Sequence, residues 1–326
     1  MRRRALAALS YLVLFASLPD SFAQERYASR TIKFVVPSGA GGPTDAFARM
    51  IAEKLSSSLG QPIVVENKPG ASLILGTSAV AQAAPDGYTL LFTTSTPLVQ
   101  VPYTVKNVPY DVQRDLTGVS HLGSIPLVLY VNASSPVTNL RQLLELAKQK
   151  PEQANYGSIG TGSSFHILGE YMIKQAGVKM VHVPYKSVVA ELQDLVGGQL
   201  LTAPADISAA APLVAAGKLR PIAVTGSKRS ALLPDVPTFG EQGITGMEPF
   251  MVWWGVFAPA KTPKPVVDQL SAEIVKIINS PEGKARLASL GADATGTDAA
   301  RTNEITRSEM ARWQQIIREL SYIKFD

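Results

Sequence analysis

The chain has no cysteine, only three histidines, and charged side chains at just 17% of its 326 positions. Without cysteine there is no disulfide framework, no thiolate metal site and no lipid-attachment cysteine behind a leader. No H-E-x-x-H or comparable ligand spacing occurs, so neither a metal nor a cofactor is expected. Lysines and arginines form no cluster interleaved with aromatics, which argues against a nucleic-acid partner. No serine stands in G-x-S-x-G, the signature that would set a nucleophile on a strand-to-helix elbow. The apolar run at residues 5–18 is shorter than the roughly 20 residues that span a bilayer.

That run has another reading. Arg2, Arg3 and Arg4 precede it, and Ser21-Phe22-Ala23 follows it with a small residue at its end, so residues 1–23 are expected to be an export leader cleaved near Ala23. With these arginines and Asp20 set aside, the formal charge of +5 falls to about +3, a mild excess. Hydrophobic residues make up 46% of the chain, enough to fill more than one core at this length, and two lobes are expected.

The chain is organised around TIKFVVPSGAGGPTD, residues 31–45: a short apolar run that ends in glycines and opens a helical pattern. Such a junction aims free backbone N–H groups and the positive end of a helix dipole at one point, which suits an anion. A dinucleotide site is the sharpest rival, with Glu66 in the place of the ribose-binding acid, but its third glycine falls on Thr44. The candidate anion ligands are therefore the backbone of Ser38, Gly39, Ala40, Gly41 and Gly42, with Thr44 and Asp45 beside them. For Asp45 capping of the helix is the favoured role, because a carboxylate repels an anion.

Spacing of Phe47, Met50, Ile51 and Leu55 predicts a helix at 46–59, and strands are expected at 61–66 and 88–92 around a helix at 73–84. Alternating strands and helices imply a parallel sheet, whose ligands gather at the carboxyl ends of its strands. Thr94 and Ser95, in the hydroxyl-rich stretch at 93–96, would lie at that edge. Residues 97–116 show no clean period. An apolar segment at 119–131, interrupted by Gly123 and Pro126, reads as a long or broken strand that crosses into a second lobe near residues 126–132.

The pattern then repeats. A strand ending at Ser158 leads into a loop with Gly160, Thr161, Ser163 and Ser164, and a helix follows at 165–176. Hydroxyls and amides there can hold an anion without a formal positive charge. Further on, a strand at 180–185 precedes a helix at 188–196. Residues 200–215 read as a short strand, a break at Pro204 and a helix, and strands at 218–224 and 251–257 precede three closing helices. The division expected is lobe 1 from 24–128 and 228–326 and an inserted lobe 2 from 129–227.

His166, close to Ser163 and Ser164, raises a second reading, a secreted hydrolase using Ser164 and His166; no acidic residue of that segment obviously orients the imidazole. His121 and His182 lie in apolar strands and are expected in the core. Trp253 and Trp254 face opposite sides of one strand.

The ordered motifs VVPSGAGGPTD, VVENKPGA, AAPDGYTLL, NYGSIGTGSSFH, VHVPYK, AGKLRPIAVT, PDVPTFGEQG and FAPAKTP resemble the substrate-binding receptors of tripartite tricarboxylate transporters, the Bug or TctC-type family. The resemblance runs over essentially the whole chain after the leader. It implies an α/β, two-lobed type II periplasmic-binding-protein fold in a periplasmic, non-catalytic receptor. Such a receptor, expected as a monomer, delivers a small carboxylate ligand to the membrane permease subunits of a tripartite transporter; a solute-sensing adaptor is a third reading. Ligand loops carried over are those of Ser38 to Asp45, Thr93 to Thr96 and Ser158 to Ser164, with Asp206 nearby. Departures from the family pattern stand at Ser72 and Leu73, where two glycines are usual, at Ser187, and at Leu201 and Pro204, where Asp and Phe are common.

Overall fold

The computed structural model describes residues 27–321; the expected leader lies outside the described residues. Three strands open the first lobe: β1 (Ile32–Val36), β2 (Ile63–Asn67) and β3 (Thr89–Thr94), with β1 parallel to both of the others. Between β1 and β2 runs α1 (Pro43–Leu59), which starts at Gly42 with a proline in its first turn and stops at Gly60, whose φ of +69° is left-handed. Helix α2 (Ile74–Ala81) joins β2 to β3 and is shorter than the expected 73–84: a left-handed turn at Ala71–Leu73 precedes it, and it ends at Ala81.

The stretch without periodicity folds into three single-turn helices, α3 (Thr96–Val99), α4 (Val101–Thr104) and α5 (Val112–Asp115). Their starts are local: Pro97 and Pro102 lie in the first turns of α3 and α4, and Asp111 caps α5 through Gln113 N and Arg114 N. Elements this short carry no amphipathic repeat.

Strand β4 (Leu116–Asn132) is continuous over 17 residues and belongs to both lobes. As far as Pro126 it pairs antiparallel with β9 (Met251–Pro259), while from Leu127 onward its partners are β7 (Ala203–Asp206) and β8 (Leu219–Val224). Proline fits where the partner changes, since it has no N–H to leave unpaired. The return crossing is fastened to the same point: Thr225 Oγ1 accepts from Leu127 N at 2.9 Å and donates to Phe250 O at 2.7 Å.

The second lobe also contains α6 (Leu140–Gln149), β5 (Asn155–Ser158), α7 (Ser164–Ala176), β6 (Val181–Pro184), α8 (Val188–Val196) and α9 (Ile207–Ala215). Strands β5 and β6 are parallel, and a bridge between Tyr156 and Thr202 joins them to the β7 edge. Pro204 does not break the chain as expected; it sits inside β7 opposite Leu129. On the other flank of β7 only the Thr202 bridge forms, so no ladder hydrogen bond there needs the missing N–H.

After β9 come α10 (Lys264–Asn279), α11 (Pro281–Ser289), β10 (Asp293–Ala294) and α12 (Ala299–Glu319). The first-lobe sheet runs β10-β4-β9-β3-β1-β2, parallel only among its first three strands. β9 enters from the opposite end because the chain returns from the second lobe there. Phe47 and Trp254 meet edge-on at 5.4 Å over the sheet, with Phe92 5.6 Å from Phe47. A second cluster is shared between the lobes: Phe250 lies 5.2 Å from Trp313 of α12 and 5.3 Å from Tyr171 of α7. Such buried rings each contribute about 1.5–3 kcal/mol or more of apolar burial. Among the described residues no helix is long and apolar enough to cross a membrane.

Candidate functional site

The carboxyl ends of β1, β3 and β5 carry the loops singled out from the sequence. The first is a tight clasp. Asp45, buried in the first turn of α1, accepts from Gly41 N at 2.9 Å, Arg49 Nε at 3.0 Å and Asn67 Nδ2 at 3.0 Å. Asn67 Nδ2 also donates to Ser38 O at 3.0 Å, tying the loop to the end of β2. The Arg49 hydrogen bond is the main reason the Asp45 carboxyl is pulled down to about 2. Gly39, Ala40 and Gly41 are exposed, and no side chain caps Gly42. Thr44 Oγ1 accepts from Trp254 Nε1 at 3.1 Å, so that tryptophan braces the helix start from inside. Thr94 is half-buried opposite Trp254, and the buried Ser95 donates its N–H to Trp253 O at 2.8 Å.

In the second lobe Ser163 caps α7, its hydroxyl accepting from His166 N at 3.2 Å. Ser158 is fully buried, 2.6 Å from His182 Nε2, and its hydroxyl also bonds Gly160 O at 3.1 Å. This Ser–His pair was not singled out from the sequence, and burial of the serine keeps any substrate from it. Ser164 Oγ donates to Gln100 Oε1 at 2.8 Å, while His166 Nδ1 accepts from Gly162 N at 3.0 Å. The arrangement needed for a Ser164–His166 nucleophile is thus not formed, although an acid does stand near the ring: Glu170 Oε1 is 3.9 Å from His166 Nε2. His166 and His182 stack at 4.0 Å, and burial lowers both to about 4, leaving them neutral at pH 7.

A cavity of about 480 Å³ lies between the lobes. From the first lobe Ser72, Leu73, Thr96, Val101, Thr104 and Val105 line it; Ile159, Thr161, Gly162, Ser163 and Ser164 come from the second. Thr161, Ser163 and Ser164 are thus brought together with Thr96, next to the predicted Ser95. Residues 38–45, Thr94, Ser95, Ser158, Gly160 and Asp206 are not part of this wall. Facing the Ile159 to Ser164 loop are instead the left-handed turn before α2 and the small helices α3 and α4. Val101, Thr104 and Val105 escaped sequence reasoning, and the prolines at Pro97 and Pro102 were the only signal that could have found them.

The turn itself is unusual. Ala71, Ser72 and Leu73 have φ of +46°, +54° and +73°, three successive left-handed residues without a glycine. Each is disfavoured by about 1–2 kcal/mol in that region. The helix that follows is closely packed: a Cβ on Gly76 would come within 2.8 Å of Pro37 Cα and 2.9 Å of Lys68 O, so α2 lies directly on neighbouring backbone.

Asp206 is half-buried at the carboxyl end of β7, opposite Leu127 where β4 changes lobes. Burial pushes its carboxyl up to about 6. Behind it, Glu191 of α8 is completely buried with neither carboxyl oxygen hydrogen-bonded, and burial followed by the charge of Asp206 raises it to about 8. Gly157 makes room for it, since a Cβ there would lie 2.8 Å from Glu191 Cγ. Among the described residues no group of His, Cys, Asp or Glu is arranged to hold a metal.

Residues 47–322 match the family model described as the tripartite tricarboxylate transporter family receptor, TctC. The chain belongs to this family. It is 36% identical to a protein in the tcbD-tcbE intergenic region of Pseudomonas sp. strain P51, over 98% of this chain and 94% of that protein. Among solved structures of the family's fold, R. palustris Rpa4515 with adipate is 33% identical, covering 90% of this chain and 98% of that one, with a TM-score of 0.80. MatC from Rhodopseudomonas palustris with bound malate is 30% identical, covering 89% and 100%, with a TM-score of 0.77. The TctC receptor shares with them the two-lobed α/β architecture of periplasmic binding proteins.

Proposed function

We propose that this TctC-family chain is a periplasmic solute receptor that captures a small carboxylated compound between its lobes and delivers it to the permease subunits of a tripartite transporter. The observation that carries the reading is the cavity between the lobes, lined by the start of α7 and by Thr96 and Thr161, with no acidic or basic side chain in its wall. Hydroxyls and a helix N-terminus hold a carboxylate; general acid–base catalysis has no group to work with there. Relatives at 30% and 33% identity with malate and adipate support the same class of ligand.

In this reading the receptor works as a monomer, exported by its leader, with lobe 1 formed by 24–128 and 228–326 and lobe 2 by 129–227. The lobes close by bending where β4 changes partner and at Thr225, and ligand contacts available only in the shut form stabilise it. Isothermal titration against di- and tricarboxylates, amino acids and aromatic acids, with small-angle scattering to follow closure, tests this. Failure of every small acid to bind a folded sample, with no compaction, rejects it. Capture of permease subunits from membranes, compared with and without ligand, tests delivery.

A further inference from the structure

The cavity that carries the proposed receptor function has a chemistry more specific than that function requires. Of its hydroxyls, Thr104 is committed to Gln100 O, Ser163 to the cap of α7 and Ser164 to Gln100 Oε1. The hydroxyls of Ser72, Thr96 and Thr161 have no hydrogen bond among the described residues and remain to meet a ligand. Beside them the wall is aliphatic. Leu73 and Val105 are half-buried on the first lobe, and Ile159 leaves 41% of its surface exposed on the second, high for an isoleucine. No lysine, arginine or histidine lines the cavity, so no formal positive charge there offsets a second carboxylate.

Leu73 is the informative residue. It stands in the left-handed region at φ +73°, where leucine is disfavoured, yet its carbonyl is held by Thr77 Oγ1 at 2.8 Å and the turn is closed by Ile74 N to Ala71 O. An apolar side chain kept in a strained turn on the cavity wall, across from exposed Ile159, is the mark of a surface shaped for contact.

We propose that the cleft selects a small monocarboxylate with an apolar body, and that Leu73, set by its left-handed turn, is the residue that imposes this preference. The inference rests on the receptor reading above. One carboxylate is taken by the hydroxyls of Ser72, Thr96 and Thr161, and the hydrocarbon part lies against Leu73, Val105 and Ile159. A dicarboxylate of the same length places its second charge against these aliphatic side chains and loses its water there without a partner.

Titration calorimetry with matched probes decides it: hexanoate against adipate, and benzoate against malate and citrate. Hexanoate and benzoate are expected to bind at least tenfold tighter than adipate, malate or citrate. Leu73→Asn keeps a residue that tolerates the left-handed turn while making the wall polar, and is expected to reduce the hexanoate-to-adipate ratio at least fivefold. Circular dichroism and the thermal midpoint establish that the variant is folded, and Leu73→Gly serves as the second variant should Asn disturb the turn. Equal or tighter binding of adipate, malate or citrate overturns the proposal and leaves the receptor reading standing. A ratio unchanged in both variants overturns the role of Leu73. Absence of binding by all five acids overturns the proposal, and the wider titration above, amino acids included, then decides the receptor reading.

Discussion

Ser164, the first residue of α7, donates its hydroxyl hydrogen to Oε1 of Gln100 at 2.8 Å, and so joins the second lobe to the α3–α4 junction of the first. Both residues are buried, and Gln100 Nε2 has no partner, so this one bond satisfies the only part of the amide that is satisfied. Removing it in Ser164→Ala is expected to lower the unfolding free energy by about 1–2 kcal/mol. A lower urea midpoint at constant m-value is the sign to look for. Any esterase background is expected to be the same in the variant, because Ser164 is not bonded to His166; loss of such activity would restore the hydrolase reading.

Thr225 fastens both crossings between the lobes by accepting from Leu127 N and donating to Phe250 O. Thr225→Val keeps the shape and strips both bonds, leaving a buried N–H and a buried carbonyl unpaired. A loss of about 1–3 kcal/mol is expected. Hydrogen exchange at Leu127 should rise in the variant, and unchanged exchange there contradicts the assignment of this threonine as the fastening.

Asp45 gathers Gly41, Arg49 and Asn67 around one carboxylate. Asp45→Ala frees the loop at residues 38–42 and is expected to cost about 1–3 kcal/mol. Because the folded carboxyl is lowered from 3.8 to about 2, its contribution is present above the ordinary carboxylate range and is lost as the pH falls from about 4 toward 2. The acid limb of a pH–stability curve should therefore be shallower in the variant than in the parent.

Glu191 works in the opposite direction. Its carboxyl, raised by burial from 4.5 to about 8, keeps its proton in the folded state after the unfolded chain has released its own. Its share of stability is complete below about pH 4.5 and is lost as the pH rises through 8, and Asp206, raised from 3.8 to about 6, adds to the same trend. Chemical denaturation between pH 5 and 8 is expected to show stability falling with pH in the parent and a flatter profile in Glu191→Gln. An unchanged slope in that variant argues against a buried protonated carboxyl.

Much of the fold was legible in the chain because the signals are local. The period of Phe47, Ile51 and Leu55 and the stop at Gly60 specify α1, and the glycines and hydroxyls after β1 and β5 mark the two loops at helix starts. Family motifs spread over the chain carried the two-lobed architecture. What stayed hidden depends on neighbours distant in sequence. Pro204 reads as a breaker until β4 is seen to pair with only one of its flanks. The cavity wall from α3 and α4 has no period to reveal it, since each helix is a single turn.

By itself, then, the sequence determined the order of the longer strands and helices, the absence of cysteine chemistry and the kind of group, amide and hydroxyl, that the loops offer a ligand. Tertiary structure alone decided which loops face each other. In the stretch at 31–45 Asp45 takes the Gly41 N–H and Trp254 bonds the Thr44 hydroxyl, while the left-handed turn at Ser72 and Leu73 lines the same cavity as Thr161. The physical reason is that a hydroxyl, carboxylate or amide is available to a ligand only when no nearer partner satisfies it, and those partners lie up to 210 residues away, as Trp254 does from Thr44.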